Sequence, residues 1–234
     1  MTVFCYHTVT YMQPIIETRE ITRVYEGAGE NTQAIKSVNF SVMKGESLAI
    51  IGKSGSGKST LMHMLATLDR PTSGEMLIDG QPTSKLSDKD LDIIRNRKFG
   101  FIFQQFFLNS RNTCLENVTM PLMITGTPSD ERKKRGLEML DAVGLLDKAK
   151  QPAGQLSGGQ KQRLCIARAL ITQPEVIFAD EPTGNLDTEN GRIITDLLFQ
   201  MHKEKNITLV IVTHDPDLAA LCDRTITIKD GEIV

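Results

Sequence analysis

A glycine-rich segment that joins a short apolar run to a helical pattern constrains the fold of this chain more than any other feature. Residues 52–60 match the pattern G-x-x-x-x-G-K-[ST], a loop that ends in a lysine and a hydroxyl residue. The apolar run at 48–51 predicts a buried strand before the loop, and residues 58–68 predict a helix after it. A chance turn rich in glycine and serine is the alternative, but such a turn requires neither flanking element.

The residue types in this loop fit the binding of phosphate groups. Glycines allow successive backbone N–H groups to surround phosphate oxygens, and the start of a helix adds the positive end of its dipole. We expect Lys58 to reach the β- and γ-phosphates of ATP and Ser59 to ligate Mg²⁺. The predicted nucleotide-binding residues of the loop are Gly52, Lys53, Ser54, Gly55, Ser56, Gly57, Lys58, Ser59 and Thr60.

Two adjacent acidic residues follow a second buried apolar run. Asp180 and Glu181 come after the run at 176–179, and ligands of parallel α/β sheets bind at the carboxyl ends of the strands. We expect Asp180 to hold Mg²⁺ and Glu181 to act as general base toward an attacking water. Alternatively, such a pair only caps the next helix, but the phosphate loop in the same chain favours the catalytic interpretation.

The order of the remaining patterns predicts an α/β fold with a mainly parallel sheet. Alternating apolar residues at 15–26 and 34–42 predict antiparallel strands at the start of the chain, and another buried run lies at 209–212. Helical patterns lie between the strands, and one of them is predicted to begin with Thr127 as its N-cap and to run toward Val143.

Length and composition fit one domain. A chain of 234 residues, 40% of them hydrophobic, is sufficient for a single core, and we place the domain at 14–234 with a helical subdomain at about 106–165. Residues 1–13 are expected to be disordered or to reflect the choice of start codon, because Met12 is a second possible start.

Charge and hydropathy limit the partners that we expect. The chain has 27 Lys and Arg against 29 Asp and Glu, so it lacks the positive field that would favour nucleic acid as a partner. No apolar run approaches the ~18 residues of a membrane-spanning helix. The four cysteines form no C-x-x-C pair, which fits a reducing cytosol.

A second glycine-bearing turn indicates the family that this chain resembles. Residues 156–170 read Leu-Ser-Gly-Gly-Gln followed by Lys-Gln-Arg-Leu-Cys-Ile-Ala-Arg-Ala-Leu, an element typical of the ABC ATPase family. Its N–H groups at the start of a helix suit a γ-phosphate, although such a turn alone would be interpreted as a plain helix cap. The resemblance covers 14–234. It implies that Ser157, Gly158, Gly159 and Gln160 of one subunit close over the ATP held by the phosphate loop of another.

Three further residues match motifs of the same family. Gln104, Asp187 and His214 resemble the Q-loop glutamine, the D-loop aspartate and the switch histidine. The resemblance implies that Gln104 contacts Mg²⁺ and its waters while its loop faces a membrane partner, and that Asp187 belongs to the nucleotide site. It implies that His214 holds Glu181 and the water near the γ-phosphate. Taken singly, the glutamine would be interpreted as a solvated amide and the histidine as structural.

Two aromatic features have alternative interpretations. Tyr25 stands where the family often places an aromatic residue that stacks on adenine, but a tyrosine at a strand end also packs on a core. The alternating Phe99, Phe101 and Phe103 predict one face of a buried strand. Phe106 and Phe107 lie beyond it and are interpreted as part of an apolar socket for a helix of the membrane partner.

The resemblance implies an ATP hydrolase with a P-loop NTPase core, an antiparallel β subdomain and an inserted helical subdomain. It also implies a homodimer that works on transmembrane permease subunits, peripherally, at the cytoplasmic face of the plasma membrane. The sequence looks like the branch that serves lipoprotein release, macrolide or antimicrobial-peptide export, and the related cell-division pair.

Two other classes of protein would share the phosphate loop. A soluble ABC ATPase acting on nucleic acid or the ribosome would need a coiled-coil insertion, tandem cassettes or a basic surface. A metabolite kinase with a P-loop would not explain residues 157–160.

Overall fold

Two β-sheets form the framework of the chain, which this computed structural model describes over residues 14–27 and 31–234. The expectation for residues 1–13 therefore lies outside the described residues. The first sheet is antiparallel, and its strands are, in spatial order, β2 (Thr32–Met43), β1 (Pro14–Tyr25), β4 (Ser73–Ile78) and β5 (Gln81–Pro82). Alternation of apolar residues along β1 and β2 buries one face of this sheet, as the sequence predicts.

The second sheet is parallel except at one edge. Its strands are, in spatial order, β10 (Glu232–Ile233), β9 (Arg224–Lys229), β3 (Ser47–Ile51), β8 (Thr208–Val212), β7 (Val176–Asp180) and β6 (Phe99–Ile102). Only β10 runs antiparallel to its neighbour among the described strands of this sheet. The carboxyl ends of β3, β7 and β8 therefore meet at one edge, where the phosphate loop, the acidic pair and His214 follow them.

Helices connect the strands of the parallel sheet. They are α1 (Lys58–Leu65), α2 (Asp88–Lys98), α3 (Cys114–Ile124), α4 (Ser129–Ala142), α5 (Gly158–Leu170), α6 (Thr188–Lys205) and α7 (Pro216–Ala220). The predicted extension of α1 to residue 68 is wrong, because Ala66 is its C-cap and Thr67 adopts a left-handed conformation with φ +56°.

A helical layer formed by α3, α4 and α5 lies between β6 and β7 in the chain. The predicted role of Thr127 as N-cap of α4 is wrong: Pro128 occupies that position without a side-chain cap, and the Thr127 hydroxyl lies 3.0 Å from that of Thr125. The boundary of the helical subdomain at about 165 stays a prediction, although α5 continues past it to Leu170.

Two apolar cores cover the two faces of the parallel sheet. Successive residues of a strand point to opposite faces, so Phe178 of β7 packs with the antiparallel sheet and α1, whereas Ile177 packs with the helical layer. The same alternation divides Val210 and Ile211 of β8. Burial on both faces explains why these strands read as continuous apolar runs, and it holds their carboxyl ends rigidly beneath the loops of the site.

Candidate active site

The phosphate loop leaves β3 and ends at the first residue of α1. Two of its glycines are required by close backbone contacts. A Cβ atom at Gly52, where φ is +153°, would lie 2.2 Å from the carbonyl oxygen of Ile228, and one at Gly57, where φ is +104°, would lie 2.5 Å from that of Ala34. Only glycine fits both positions without a shift of the backbone.

The inside of the loop is built for an anion. The Lys58 ammonium donates hydrogen bonds to the carbonyl oxygens of Gly52 at 2.9 Å and Lys53 at 3.0 Å, so its charge is held within the loop. The Ser56 side chain is buried, and its Oγ has no hydrogen-bond partner among the described residues. A lysine, a buried hydroxyl and the start of α1 together fit a phosphate group.

Glu181 follows β7 in a strained conformation and is held by its neighbours. Its φ is +44°, and its N–H donates to the carbonyl of Val212 at 2.9 Å. Nδ1 of His214 lies 2.7 Å from Glu181 Oε1, and the Thr213 hydroxyl donates to Oε2 at 3.4 Å. The side chain of Glu181 is 16% exposed against 73% for His214, so the histidine forms an outer wall over the carboxylate.

Asp180, the last residue of β7, is a carboxylate whose ionised form the fold disfavours. Burial raises the pKa of Asp180, and the charge of Glu181 acts in the same direction, while His63, Lys58 and a hydrogen bond with Ser59 oppose the shift. A buried carboxylate beside a serine hydroxyl is a suitable oxygen donor set for Mg²⁺.

These groups line one cleft of about 490 Å³ at the carboxyl edge of the parallel sheet. Its walls are Gly52, Lys53, Ser54, Lys58, Ser59, Gln104, Asp180, Glu181, Val212 and His214. The residues that the sequence predicts as catalytic or as metal ligands therefore lie together: Glu181, His214, Gln104, Ser59 and Asp180, with Gln104 predicted for both roles.

A second cleft, of about 480 Å³, lies on the other side of the phosphate loop and extends the site. The sequence did not indicate the following members of its wall, which come from β2 and from the turn between β9 and β10: Thr32, Gln33, Ala34, Lys36, Asp230 and Gly231. The Asp230–Gly231 turn is recognisable in the sequence, but nothing in that pattern links it to a loop so distant in the chain.

Tyr25 lies beside the second cleft, since it pairs with Thr32 across β1 and β2. Its hydroxyl donates to Asp69 at 2.9 Å, and the Arg23 guanidinium stands over its ring at 4.6 Å from the centroid. The ring is 39% exposed, so it is not a core residue. Stacking on adenine stays a prediction, and it would use the ring face opposite Arg23.

The turn at residues 157–160 is a helix cap as well as a possible anion site. The Ser157 hydroxyl accepts the Gln160 N–H at 3.4 Å, and the Gln160 side chain accepts the Ser157 N–H at 3.0 Å, a reciprocal capping box for α5. This leaves the N–H groups of Gly158 and Gly159 at the start of the helix. Within residues 14–27 and 31–234, no member of the turn lines either cleft beside the phosphate loop.

Asp187 also lies outside these clefts, as the N-cap of α6. Its carboxylate accepts the Asn190 N–H at 2.9 Å and the Asn190 side-chain amide at 2.7 Å, and these bonds lower the pKa of Asp187. The helix cap after β7 is therefore Asp187, whereas Asp180 and Glu181 face the cleft. The predicted part of Asp187 in a nucleotide site is not tested by its position in one chain.

Gln104 is anchored to the segment that follows Glu181, because its backbone carbonyl accepts a hydrogen bond from the Asn185 side chain at 2.7 Å. Asn185 and Thr213 are supporting residues that sequence reasoning missed. Their signal in the sequence is position, since Thr213 precedes His214 directly and Asn185 lies two residues before Asp187.

An apolar groove of about 530 Å³ opens between β6 and α3, close to the segment that carries Gln104. Its apolar lining includes Phe99, Phe101, Phe103, Phe107, Met120, Pro121 and Ile124. Phe107 is 65% exposed and lines the groove, whereas its predicted part in a socket for the membrane partner stays a prediction. Phe106 does not line the groove; its carbonyl accepts hydrogen bonds from Cys165 and Arg168, which turns this residue toward α5.

Comparison with known proteins gives consistent matches. A family model described as ABC transporter matches residues 35–184. The chain is 43% identical to the lipoprotein-releasing system ATP-binding protein LolD of Syntrophus aciditrophicus (strain SB), over 94% of this chain and 99% of that protein. It is 48% identical to the macrolide export ATP-binding/permease protein MacB of Mannheimia succiniciproducens, over 94% of this chain but only 34% of that protein.

Solved structures agree with these matches. A dimeric structure of an ATP-binding cassette in a post-hydrolysis state, bound to ADP and Pi, superposes with a TM-score of 0.86 and 43% identity. The superposition covers 93% of this chain and 96% of the other. No helix in the described part of the chain has the length and apolar character needed to span a membrane.

Proposed function

Because this chain belongs to the ABC transporter family as an ATP-binding, ATP-hydrolysing subunit, we propose that two copies close around two Mg-ATP and drive separate transmembrane subunits. One observation carries the proposal. The groups suited to binding and hydrolysis line one cleft, whereas the turn at 157–160, also suited to a γ-phosphate, lies outside it. Each copy would then offer its turn to the ATP on the other, consistent with the dimeric state of the similar cassette.

Hydrolysis is assigned to the groups of the first cleft. Glu181 accepts a proton from water as that water attacks the γ-phosphorus, and the bond to the bridging oxygen breaks to release ADP and inorganic phosphate. His214 holds the carboxylate through Nδ1, which leaves Nε2 for the γ-phosphate. Lys58 offsets charge on the β- and γ-phosphates.

We assign magnesium to three residues with oxygen donors that line the first cleft. The residues that would hold the ion are Ser59, Asp180 and Gln104. Burial raises the pKa of Asp180 because it disfavours the charged form, and a bound cation would stabilise that form. When bound, Mg²⁺ neutralises charge that develops on the phosphate oxygens.

The transmembrane subunits are proposed to dock in the apolar groove between β6 and α3. The groove contains the exposed Phe107 and adjoins the segment that carries Gln104, so pressure on this surface would reach the cleft. A chain docked there would work peripherally, at the cytoplasmic face of the plasma membrane. Export or extraction of a lipoprotein, macrolide or peptide is the proposed task, on the basis of what the named relatives do.

The proposal predicts how a Glu181→Gln variant behaves. The amide cannot accept the proton from water, so turnover should fall roughly 10² to 10⁴-fold, while ATP binding persists and the dimer accumulates. Gel filtration with and without Mg-ATP, together with phosphate release, measures both effects. Glu175→Gln makes the same chemical change just before β7, outside the cleft, and should retain turnover.

Two results would contradict the proposal. A Glu181→Gln protein with the phosphate release of the wild type would remove the assigned base. If neither the wild type nor the variant ever dimerises in Mg-ATP, the closure of two copies is wrong for this protein.

A further inference from the structure

A buried glutamine connects α5 to the turn that carries Glu181. Gln162 is 1% exposed, and its Nε2 donates a hydrogen bond of 2.6 Å to the carbonyl oxygen of Pro182. Its Oε1 is also buried and has no partner among the described residues. Gln162 thus lies on the helix that begins after Ser157 and contacts the backbone directly after the proposed base.

The turn at 181–184 depends on this contact more than an ordinary loop would. Glu181 has a left-handed backbone with φ +44°, a conformation that persists only where the surroundings impose it. Pro182 is buried and has no N–H, so its carbonyl is the polar backbone group through which the turn can be fixed at that residue. The Gln162 amide supplies the donor.

The incomplete pairing of Gln162 argues against a purely packing role. A buried amide costs free energy unless its polar atoms are bonded, and here only the donating half is bonded. An apolar side chain of the same length would fill this space without leaving Oε1 unpaired. The glutamine therefore serves the one contact that an apolar residue cannot make.

We propose that Gln162 is a positioning residue for ATP hydrolysis, which holds the Glu181 carboxylate toward the cleft by anchoring Pro182. This inference rests on the proposed role of Glu181 as general base. Gln162 does not itself line the cleft. Its loss should therefore affect the chemical step and leave the binding of ATP unchanged.

The test uses Gln162→Met, which keeps the length of the side chain and removes the donor. In single-turnover hydrolysis, with the enzyme in saturating excess over Mg-ATP, we expect the rate to fall roughly 10- to 100-fold, since displacement of a catalytic group by about 1 Å costs that much. The KM for ATP should stay within about twofold of the wild type. Ile166→Val, a change at a fully buried residue of the same helix, controls for loosened packing and should leave the rate unchanged.

A double variant separates positioning from a general structural effect. If Gln162 acts through Glu181, Gln162→Met should cause no further loss of rate in the Glu181→Gln background. An equal fold-loss in both backgrounds, or a Gln162→Met enzyme with the rate of the wild type, would overturn the inference while leaving the proposed function intact. Full hydrolysis by Glu181→Gln alone would instead remove the proposed base and, with it, this role of Gln162.

Discussion

The residue at position 190 is predicted to decide whether Gly159→Ala stabilises or destabilises the chain. A Cβ atom at Gly159 would lie 2.3 Å from Oδ1 of Asn190, so the amide must rotate away. Rotation breaks its 2.7 Å hydrogen bond to the exposed Asp187 carboxylate and forces the Asn190 side chain into a less favourable rotamer. Overpacking of this kind costs about 1–2 kcal/mol at a site that can partly relax. Alanine in a helix gains at most about 1 kcal/mol over glycine, so the free energy of unfolding should fall, by up to about 2 kcal/mol.

In the Asn190→Ala background the Oδ1 and Cγ atoms are removed, and only the Cβ of residue 190, 3.3 Å from the added methyl, needs a small shift. Gly159→Ala should then raise the free energy of unfolding, by less than about 1 kcal/mol. Urea unfolding of the four nucleotide-free proteins measures this coupling, expected at about 1–2 kcal/mol. Gly191→Ala is the matched control, because an added methyl in α6 comes no closer than 3.8 Å to Thr183. The same change in free energy for Gly159→Ala in both backgrounds would refute the reasoning.

Two acidic residues should respond to pH in opposite ways. Backbone and side-chain hydrogen bonds from Ser47 lower the pKa of Asp223. The ionised carboxylate therefore stabilises the folded chain above the pKa of the unfolded state, and this stabilisation is lost as the pH falls through the pKa of the folded state. Asp223 is exposed, so solvent screening limits this contribution, and Asp223→Asn should lower the free energy of unfolding by about 0.5–1 kcal/mol at pH 7 and by less below about pH 4. Urea unfolding at the two pH values measures the difference, and equal losses would contradict the expectation. Burial raises the pKa of Asp180, so its ionised form destabilises the folded chain at pH 7. Asp180→Asn should therefore increase the Tm of the nucleotide-free chain at pH 7, and this increase should become smaller toward about pH 4, where the carboxyl group is protonated in both states. The same variant should lose the increase of roughly 5–10 °C that Mg-ATP at about a hundred times its Kd gives the wild type; an undiminished increase in calorimetry would mean that Asp180 does not hold the metal.

Local patterns predicted the elements that carry the chemistry, because each has a physical cause within a few residues. The phosphate loop requires glycines where the backbone passes close to Ile228 and Ala34, and the burial of the parallel sheet on both faces produces the apolar runs of β3, β7 and β8. The α/β fold is confirmed by the structure and by the similar cassettes. The ends of helices were harder to predict. Helix α1 ends at Leu65 because Thr67 adopts a left-handed backbone, which a threonine does not indicate from sequence.

The supporting residues of the site could not be predicted from local patterns, because their contacts join distant parts of the chain. Gln162 reads as an ordinary helical residue, and only the packing of α5 against the turn after β7 brings its amide to Pro182. Asn185 likewise acquires a role only where the end of β6 lies beside that of β7, so that it can bond to Gln104. Parallel strands bring such ends together whatever the chain does between them. The motifs therefore identify the groups that are proposed to contact the nucleotide, while the residues that orient those groups follow from the order of strands in the sheet.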